Sequence, residues 1–429
     1  MQKDKMKIGV IGLGYVGFPL ACTIAKNKSY KVFGFDLSKE KIDLINQKKS
    51  PIEDKQAEKD IKTVKITAST DPEILKDSDI FIVCVPTPVF NDHTPDLDPI
   101  KNATKTISKY LKNGSLVIIE STINPGVCEE VIIPILETET KLKSGKDFDL
   151  AHCPERINPG DPKWNVYNIP CNIGATTPQA CKKAANFYRS FINAEINEMS
   201  SLKTAEATKI IENTFRDINI AYVNELAKSF DILGIDLTEV IRGASNKPFA
   251  FMPHFPSFGV GGHCIPVDPY YLIERAKKSG FDHKFVRIAR EINNSMPQYT
   301  VDLLTDALNS IGKPIKNTRI GILGISFKAN ISDKRESPAL TIIKLLQKKG
   351  ANLSIFDPYC LKDSTGNSLE ELLQNVDAVL IATDHKEFKK LTPLDFQKHN
   401  IKVVIDGKNI YDKQAFLGTD IIYKGIGRG

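Results

Sequence analysis

The chain has 429 residues, of which 41% are hydrophobic and 26% charged, and its formal net charge is +6 at pH 7. This length predicts two or three domains with sizeable cores, and the hydrophobic content argues against an intrinsically disordered protein. The positive charge is spread along the chain without a basic cluster interleaved with aromatic residues, so nothing supports nucleic-acid binding. No signal peptide or membrane-spanning run is visible, and the eight cysteines show neither a C-x-x-C pair nor a zinc-type spacing. We expect a cytoplasmic protein with reduced thiols, no metal site and no membrane insertion.

The chain opens with a strand, a glycine-rich turn and a helix. Residues 8–11 form an apolar run typical of a buried parallel strand, and residues 15–27 show helical periodicity. Between them, Gly12, Gly14 and Gly17 give the pattern G-x-G-x-x-G. Such glycines allow a tight turn and let backbone amides approach a pyrophosphate at the helix N-terminus.

A second strand, residues 31–35, ends at Asp36. A carboxylate at this place can accept both ribose hydroxyls and would repel a 2′-phosphate. The order of strand, turn, helix, strand and acid therefore predicts an NAD site. Lys39 and Lys41 lie close by and reduce the expected discrimination against NADP.

The remaining elements predict an α/β protein with two Rossmann-like doubly wound domains joined by a central helical domain. Residues 1 to about 195 alternate strands and helices as a parallel sheet requires, a long helix with an apolar stripe covers 203–234, and more helix follows to about residue 300. Further strands are predicted at 80–85, 115–120 and 148–153. A second α/β unit begins with residues 319–327, and its predicted strands include 353–356, 378–382 and 403–405. We expect domains at 1–200, 201–312 and 313–429.

The turn of the second α/β unit lacks G-x-G-x-x-G. Gly321 and Gly324 are three residues apart, and Phe327 occupies the next turn. This unit is interpreted as binding a different nucleotide or part of one, and a purely structural unit is the alternative.

Cys264 follows a run of glycines in the segment 259–268, and Asp268 comes four residues after it. Glycines admit close backbone approach, so a thiol displayed on this loop can be reached by a substrate. Together with a redox cofactor, it suggests oxidation through a covalent thio-intermediate. The alternative is a buried cysteine that packs as a small hydrophobic residue, which is what we expect of Cys22, Cys84, Cys153 and Cys181.

These motifs, in this order, resemble the UDP-glucose/GDP-mannose dehydrogenase family over essentially the whole chain. The matching segments are Gly12–Gly17, Pro86–Pro88, Glu120–Thr122, Pro154–Gly160, Lys209 with Asn213, Gly259–Asp268, and Phe327-Lys328 with Arg335. The resemblance implies oxidation of a sugar C6 hydroxyl to a carboxylate by two NAD. It also implies an N-terminal NAD domain, a central helical dimerisation domain, a C-terminal domain that contacts UDP, and a homodimer or higher homo-oligomer.

The resemblance assigns catalytic roles to residues of the central part. Cys264 attacks the C6 aldehyde and carries the thiohemiacetal and thioester. Lys209 stabilises developing oxyanions, and Asn213, one helical turn away, holds the substrate or a water. Asp268 pairs with Lys209 or helps to hold a water. A lysine and a water-bridged carboxylate are both open as the first proton acceptor.

Two residues at predicted strand ends complete the catalytic set. Glu155 activates water for thioester hydrolysis, and Thr122 hydrogen-bonds that water. The UDP-glucose branch of the family carries a second glutamate where this chain has Pro159, so any role of that acid is absent here.

The resemblance also implies binding residues for cofactor and substrate. Those for NAD are Gly12, Gly14, Tyr15, Val16, Gly17, Asp36, Lys41, Pro86, Thr87, Thr122 and Arg335. Those for the UDP-sugar are Glu155, Arg156, Lys209, Asn213, Lys247, Phe249, Phe251, Gly259, Gly261, Phe327, Lys328 and Lys408. Lys328 and Lys408 are candidates for the UDP phosphates, although the family commonly has arginine at the second position.

Segments 245–253 and 155–161 resemble the branch that acts on UDP-N-acetylhexosamines for bacterial surface polysaccharides such as capsule and O-antigen. Phe249 or Phe251 can pack against the sugar or its acetamido methyl, or can be a loop anchor. Ser257-Phe258 replaces a Gly-Pro usual for the branch, and Cys171 replaces a common arginine.

We expect UDP-N-acetylglucosamine as substrate, with UDP-glucose or UDP-N-acetylmannosamine as alternatives. Two remoter classes stay open. One is a two-electron NAD dehydrogenase or an epimerase, in which Cys264 is structural. The other is a non-catalytic nucleotide-sugar-binding protein, against which the intact set of catalytic residues argues.

Overall fold

The structure is a computed structural model and describes residues 5–90, 92–157 and 163–429. The chain forms two compact units, one of Met1–Glu212 with Tyr270–Gly280 and one of Asn213–Pro269 with Phe281–Gly429. The division falls within the long central helix. The predicted division into three domains stays a prediction.

Within its described residues, the first unit contains eight strands in one sheet. They are β1 Met6–Ile11, β2 Tyr30–Phe35, β3 Ile66–Ser69, β4 Ile80–Val83, β5 Leu116–Ile119, β6 Asp149–His152, β7 Cys171–Ala175 and β8 Ile196–Glu198. Their order is β3-β2-β1-β4-β5-β6-β7-β8. Neighbouring strands are parallel except for β6 and β7, which are antiparallel. The expectation of a parallel sheet is wrong for this pair, because the described part of the connection supplies no crossover helix.

Helices cover both faces of this sheet, as its continuously apolar strands require. They are α1 Gly17–Ala25, α2 Lys39–Asn46, α3 Lys55–Thr63, α4 Asp98–Ser108, α5 Ile133–Thr140 and α6 Pro178–Arg189. Short helical turns lie at Pro72–Leu75 and Cys128–Ile132. Ile8 and Val10 pack into the core on one face, whereas Val83 and Ile119 pack into the core on the other.

Helix α7 spans Leu202–Leu233, which confirms the predicted long helix. The predicted apolar stripe is only partly correct, because Ile211 and Phe215 are 60% and 45% exposed. The buried positions of α7 include a series of polar residues at helical spacing, namely Glu206, Lys209, Asn213, Asp217 and Asn224.

Helices α8 Leu237–Ala244, α9 Asp268–Lys278 and α10 Lys284–Ser310 follow. The expectation of helix up to about residue 300 is wrong for residues 245–267, which form no helix. Pro248, Pro253 and Pro256 explain this difference, since proline removes a helical hydrogen bond and restricts the residue before it.

Within the described residues, the sheet of the second unit has five parallel strands in the order β10-β9-β11-β12-β13. The strands are β9 Arg319–Leu323, β10 Asn352–Phe356, β11 Ala378–Ile381, β12 Val403–Asp406 and β13 Ile422–Gly425. The accompanying helices are α11 Pro338–Lys348, α12 Leu369–Gln374 and α13 Pro393–Lys398, with short turns at Leu361–Asp363, Phe388–Lys390 and Lys413–Phe416. The predicted second doubly wound domain is confirmed. Among the described residues, no helix is both long and apolar enough to cross a membrane.

Candidate functional site

Gly12, Gly14 and Gly17, which follow β1, have different structural roles. Gly12 has φ +88°, and a Cβ there would lie 2.6 Å from the carbonyl oxygen of Cys84. A Cβ on Gly17, the first residue of α1, would lie 1.9 Å from the carbonyl oxygen of Gly12. A Cβ on Gly14 would meet no atom within 4 Å. Gly12 and Gly17 therefore close the turn, and Gly14 leaves an open backbone face that fits an approaching diphosphate of NAD.

Asp36 follows β2 and connects that strand to the glycine turn. Its Oδ2 accepts from the Leu13 amide at 2.8 Å, and its Oδ1 accepts from the Ser38 amide at 2.8 Å. Lys41 Nζ lies 3.4 Å from Oδ2. The carboxylate is thus fixed beside the turn, where a ribose-binding acid of a dinucleotide site belongs.

Several other predicted residues follow the carboxyl ends of strands. Pro86 and Thr87 come after β4, Thr122 after β5, and Glu155 after β6. Because β4, β5 and β6 are parallel, these residues share one edge of the sheet, which is where α/β sheets bind ligands. The carbonyl of Thr87 also accepts a hydrogen bond from the hydroxyl of Tyr271.

Glu155 is partly buried at this edge. Burial raises the pKa of its carboxyl group to about 7, although Lys209 acts in the opposite direction. One of its oxygens accepts from the Ile157 amide. A carboxyl group with this pKa is a mixture of both protonation states near neutral pH, so it can take a proton from water and release it again.

Arg156 forms an ion pair that the sequence did not reveal. Its Nη2 lies 2.5 Å from Oε1 of Glu212 on α7, and its Nε donates to Oε2 at 3.2 Å. Its Nη1 donates to the Pro170 carbonyl at 2.9 Å. The substrate-binding role of Arg156 stays a prediction, and these contacts also give it a role in joining the loop after β6 to α7.

A buried hydrogen bond connects two predicted catalytic residues of the second unit. Asn213 Nδ2 donates to Oδ2 of Asp268 at 2.6 Å. We expected Asp268 to pair with Lys209 or hold a water, and the structure gives it the Asn213 amide as a partner. Cys264 is exposed, and its carbonyl accepts from the amides of Val267 at 3.1 Å and Asp268 at 2.9 Å. The thiol is therefore displayed on the turn that leads into α9.

Phe327 packs against the glycines before Cys264. A Cβ on Gly261 would lie 2.8 Å from Phe327 Cβ, and one on Gly262 would lie 2.9 Å from Phe327 Cε2. A Cβ on Gly259 would lie 2.9 Å from Pro338 Cβ. The loop needs these glycines because neighbouring side chains occupy the space that a Cβ would take.

Two predicted nucleotide contacts of the second unit have local partners. Lys408 Nζ lies 4.9 Å from the ring centroid of the buried Phe258, and burial lowers its pKa while Asp384 acts in the opposite direction. Arg335 Nη2 lies 2.5 Å from Oδ2 of Asp333. Phe258, which replaces a residue usual in the resembled branch, thus belongs to the core beneath Lys408.

The two candidate aromatic contacts for the sugar differ in their surroundings. Phe249 is 67% exposed, with Lys247 Nζ 4.8 Å from its ring centroid. Phe251 is partly buried and packs against the cluster around Val223 and Met296. The structure therefore favours Phe251 as a loop anchor, whereas Phe249 is exposed and contacts Lys247 through its ring.

Two further predictions concern Pro159 and the absence of a metal site. Pro159 lies outside the described residues. In the part of the chain that is described, no three His, Cys, Asp or Glu side chains come together as a metal-binding group.

Sequence reasoning also missed a cavity in the first unit. It has a volume of about 20 Å³ and is lined by residues that include Glu120, Cys153, Glu155, Cys171 and Tyr188. The Tyr188 hydroxyl donates to the Glu120 carboxyl group there. These residues come from four separate parts of the chain, so no sequence spacing indicates the cluster.

Known proteins resemble the chain along its length. Residues 6–192, 203–295 and 321–413 match the NAD binding, central and UDP binding domains of the UDP-glucose/GDP-mannose dehydrogenase family. A UDP-N-acetyl-D-mannosamine dehydrogenase of Pyrococcus horikoshii is 39% identical, covering 99% of this chain and 100% of the relative. A UDP-N-acetyl-D-glucosamine 6-dehydrogenase of Pseudomonas aeruginosa is 35% identical, covering 92% and 94%. A solved structure of the UDP-D-ManNAc dehydrogenase from Pyrococcus horikoshii superposes with a TM-score of 0.93 at 38% identity, covering 99% and 100%.

Proposed function

Because the chain belongs to the UDP-glucose/GDP-mannose dehydrogenase family and is an NAD-dependent nucleotide-sugar dehydrogenase, we propose that it oxidises the C6 hydroxyl of a UDP-N-acetylhexosamine to a carboxylate. One observation carries the covalent part of this proposal. Of the eight cysteines, all of which lie in the described residues, Cys264 alone is exposed. A thiol displayed on a glycine loop can be reached by the C6 aldehyde of a bound nucleotide sugar, which is too large to reach the buried thiols.

The proposed reaction has three stages. Bound NAD supplies the hydride acceptor, once for the alcohol and once for the covalent intermediate. In the first stage the C6 alcohol becomes an aldehyde, and Lys209 or a water held by Asp268 takes the hydroxyl proton. In the second, Cys264 attacks the aldehyde to form a thiohemiacetal, whose oxidation leaves a thioester. In the third, Glu155 takes a proton from water as that water attacks the thioester carbonyl.

Lys209 and Asn213 support these stages from consecutive turns of α7. Both side chains are buried. A lysine ammonium stabilises the oxyanion that develops at C6, because a fixed positive charge in a partly dry site interacts strongly. The bond from Asn213 to Asp268 holds the carboxylate in one orientation. Thr122, at the end of β5, is proposed to hydrogen-bond the hydrolytic water.

We assign UDP-N-acetylglucosamine as the first candidate substrate, for incorporation into a surface polysaccharide. The exposed ring of Phe249 supports an acetamido sugar, since it can cover the acetyl methyl group. UDP-N-acetylmannosamine is the second candidate, because a relative named for that substrate is 39% identical over nearly the whole chain.

Self-association is part of the proposal. We infer a homodimer or higher homo-oligomer formed through the central helices, and the exposed apolar residues Ile211, Phe215 and Tyr222 of α7 support it. Light scattering coupled to size exclusion tests this inference, and a monomeric mass at micromolar concentration contradicts it.

The substrate prediction is tested by measuring kcat/KM with NAD for UDP-N-acetylglucosamine, UDP-N-acetylmannosamine and UDP-glucose. We expect an N-acetylated sugar to be preferred over UDP-glucose by about 10–200-fold, which is what one methyl-sized contact can achieve. Phe249→Ala should reduce this preference, whereas Phe255→Ala, at an exposed phenylalanine of the same non-helical stretch 245–267, should not. A higher kcat/KM for UDP-glucose than for both N-acetylated sugars would contradict the substrate assignment and leave the dehydrogenase activity intact.

A further inference from the structure

Two cysteines meet at the cavity of the first unit. Cys153 directly follows β6, and Cys171 is the first residue of β7. In the antiparallel pairing of these strands, His152 lies opposite Gly174. Continuing this register places Cys153 opposite Ile173, so Cys171 is its diagonal neighbour on the same face of the sheet. Both side chains accordingly line the same cavity.

The two thiols interact. The neighbouring Cys153 side chain, together with the nearby Arg156, lowers the pKa of Cys171, whose thiol donates to the carbonyl of Ile169 at 3.6 Å. Burial raises the pKa of Cys153. The Cys171 thiol therefore loses its proton more readily than the Cys153 thiol, as in dithiols with an attacking and a resolving cysteine.

A small cavity lies beside the pair. The cavity volume of about 20 Å³ suffices for one water-sized molecule. Cys171 is 8% exposed, compared with 2% for Cys153. The more exposed residue of the pair is therefore also the one whose thiol has the lowered pKa.

We propose that Cys153 and Cys171 are an oxidative modification site, at which a hydroperoxide converts the two thiols into a reversible disulfide next to Glu155. This function goes beyond the dehydrogenase reaction, in which neither thiol takes part.

The chemistry balances with hydrogen peroxide as oxidant. The Cys171 thiolate attacks one peroxide oxygen, the O–O bond breaks, and hydroxide leaves and is protonated to water. The resulting sulfenic acid is attacked by Cys153 as it loses its proton, the S–S bond forms, and a second water leaves. The two thiols lose two electrons in total, and the peroxide gains them.

The disulfide changes the surroundings of Glu155. Diagonal neighbours across antiparallel strands have Cα atoms about 7–8 Å apart, whereas a disulfide requires about 4.4–6.8 Å. Closing the bond therefore draws the end of β6 towards β7. Glu155 lies two residues after Cys153, so its backbone moves with this strand end.

The test uses the full-length Cys264→Ala variant, which removes the exposed thiol. The protein is treated with hydrogen peroxide, denatured, alkylated and digested without reductant. We expect a peptide that cross-links Cys153 to Cys171 and disappears on addition of dithiothreitol. Cys171→Ser in the same background should abolish it. Cys181→Ser is the matched control and should retain it, because the buried Cys181 thiol donates to the carbonyl of Ile173.

The peroxide concentration is the one that oxidises Cys264 of the wild-type protein completely. If at this concentration Cys153 and Cys171 remain alkylatable, or are oxidised to sulfinic acids without a cross-link, the proposal is wrong.

Trp164, the single tryptophan of the sequence, reports on the segment that the disulfide closes. Its emission should change on oxidation and recover with dithiothreitol, and should not respond in Cys171→Ser. A cross-link that leaves the emission unchanged would refute the movement of the strand end.

Discussion

The carboxyl group of Glu155 experiences opposing influences. Burial raises its pKa to about 7, and Lys209 and Arg156 limit that increase by favouring the charged form. The proton acceptor for thioester hydrolysis is the carboxylate, which predominates above the pKa. The structure thus provides a base that functions near neutral pH without a histidine.

This pKa predicts the pH dependence of the hydrolytic stage. The single-turnover rate of thioester hydrolysis should rise by about tenfold per pH unit at acidic pH and level off above about pH 7. Glu155→Gln should remove this rise and allow a covalent adduct on Cys264 to accumulate, as measured by intact mass. Normal turnover of Glu155→Gln without an adduct would refute the role of this residue.

Asp36 accepts a hydrogen bond from the Leu13 amide in addition to its proposed contact with ribose. A useful variant must keep the first contact and weaken the second. Asp36→Asn keeps an oxygen that can accept from the Leu13 amide but removes the charge. A charge-assisted hydrogen bond contributes about 1.5–3 kcal/mol, so kcat/KM for NAD should fall by about 10–100-fold.

The loss should be smaller for NADP, because the repulsion of its 2′-phosphate is relieved. Asp43→Asn, the same change at an exposed position of α2, should alter neither cofactor. Equal kcat/KM for NAD and NADP in the unmodified enzyme would contradict the role of Asp36.

At the scale of elements, polar contacts connect α7 to α10 within the second unit. Arg290 Nη1 lies 2.5 Å from Oδ1 of Asp217, and Asn293 Nδ2 donates to the same oxygen at 2.8 Å. Asn293 Oδ1 in turn accepts from Asn224 at 2.9 Å. All four side chains are buried, so these hydrogen bonds form a network that is shielded from water.

Removing one member of this network should be costly. Asp217→Ala leaves the Arg290 charge buried without this carboxylate, and we expect it to lower the free energy of unfolding by about 3–5 kcal/mol. Asp282→Ala is the matched control, because Asp282, which precedes α10, pairs at the surface with Arg287 of α10. Its effect should stay below about 1 kcal/mol. Denaturant unfolding measures both, and equal effects would show that burial does not determine the contribution of these pairs.

For the whole molecule, local sequence patterns predict the helices and strands well, but they do not predict which residues contact one another in the fold. Continuous apolar runs identify β1, β4 and β5, and the absence of proline and glycine between residues 203 and 233 identifies α7. The contacts of the buried side of α7 are not predicted by such patterns. Glu206 accepts from the amides of Gly126 and Cys128, about eighty residues away along the chain, and no local pattern reveals such a partner.

The candidate site shows the same limit. The glycine turn, Asp36, Glu155 and Cys264 are recognisable because each stands in a motif with a chemical meaning. The Arg156–Glu212 pair and the Cys153–Cys171 pair are not recognisable, since the fold brings together residues that are ordinary in their own segments. The antiparallel direction of β7, which brings the two thiols to one cavity, is also not encoded in the apolar pattern of that strand.

The most direct test of the proposed reaction is its stoichiometry. UDP-N-acetylglucosamine and UDP-N-acetylmannosamine are each incubated with excess NAD until NADH formation stops, and NADH and uronate are then quantified. A relay through Cys264 predicts two NADH for each carboxylate formed, without accumulation of free aldehyde. Cys264→Ala should form no uronate and still bind NAD. One NADH for each product molecule, or a wild-type rate of uronate formation by Cys264→Ala, would contradict the four-electron mechanism.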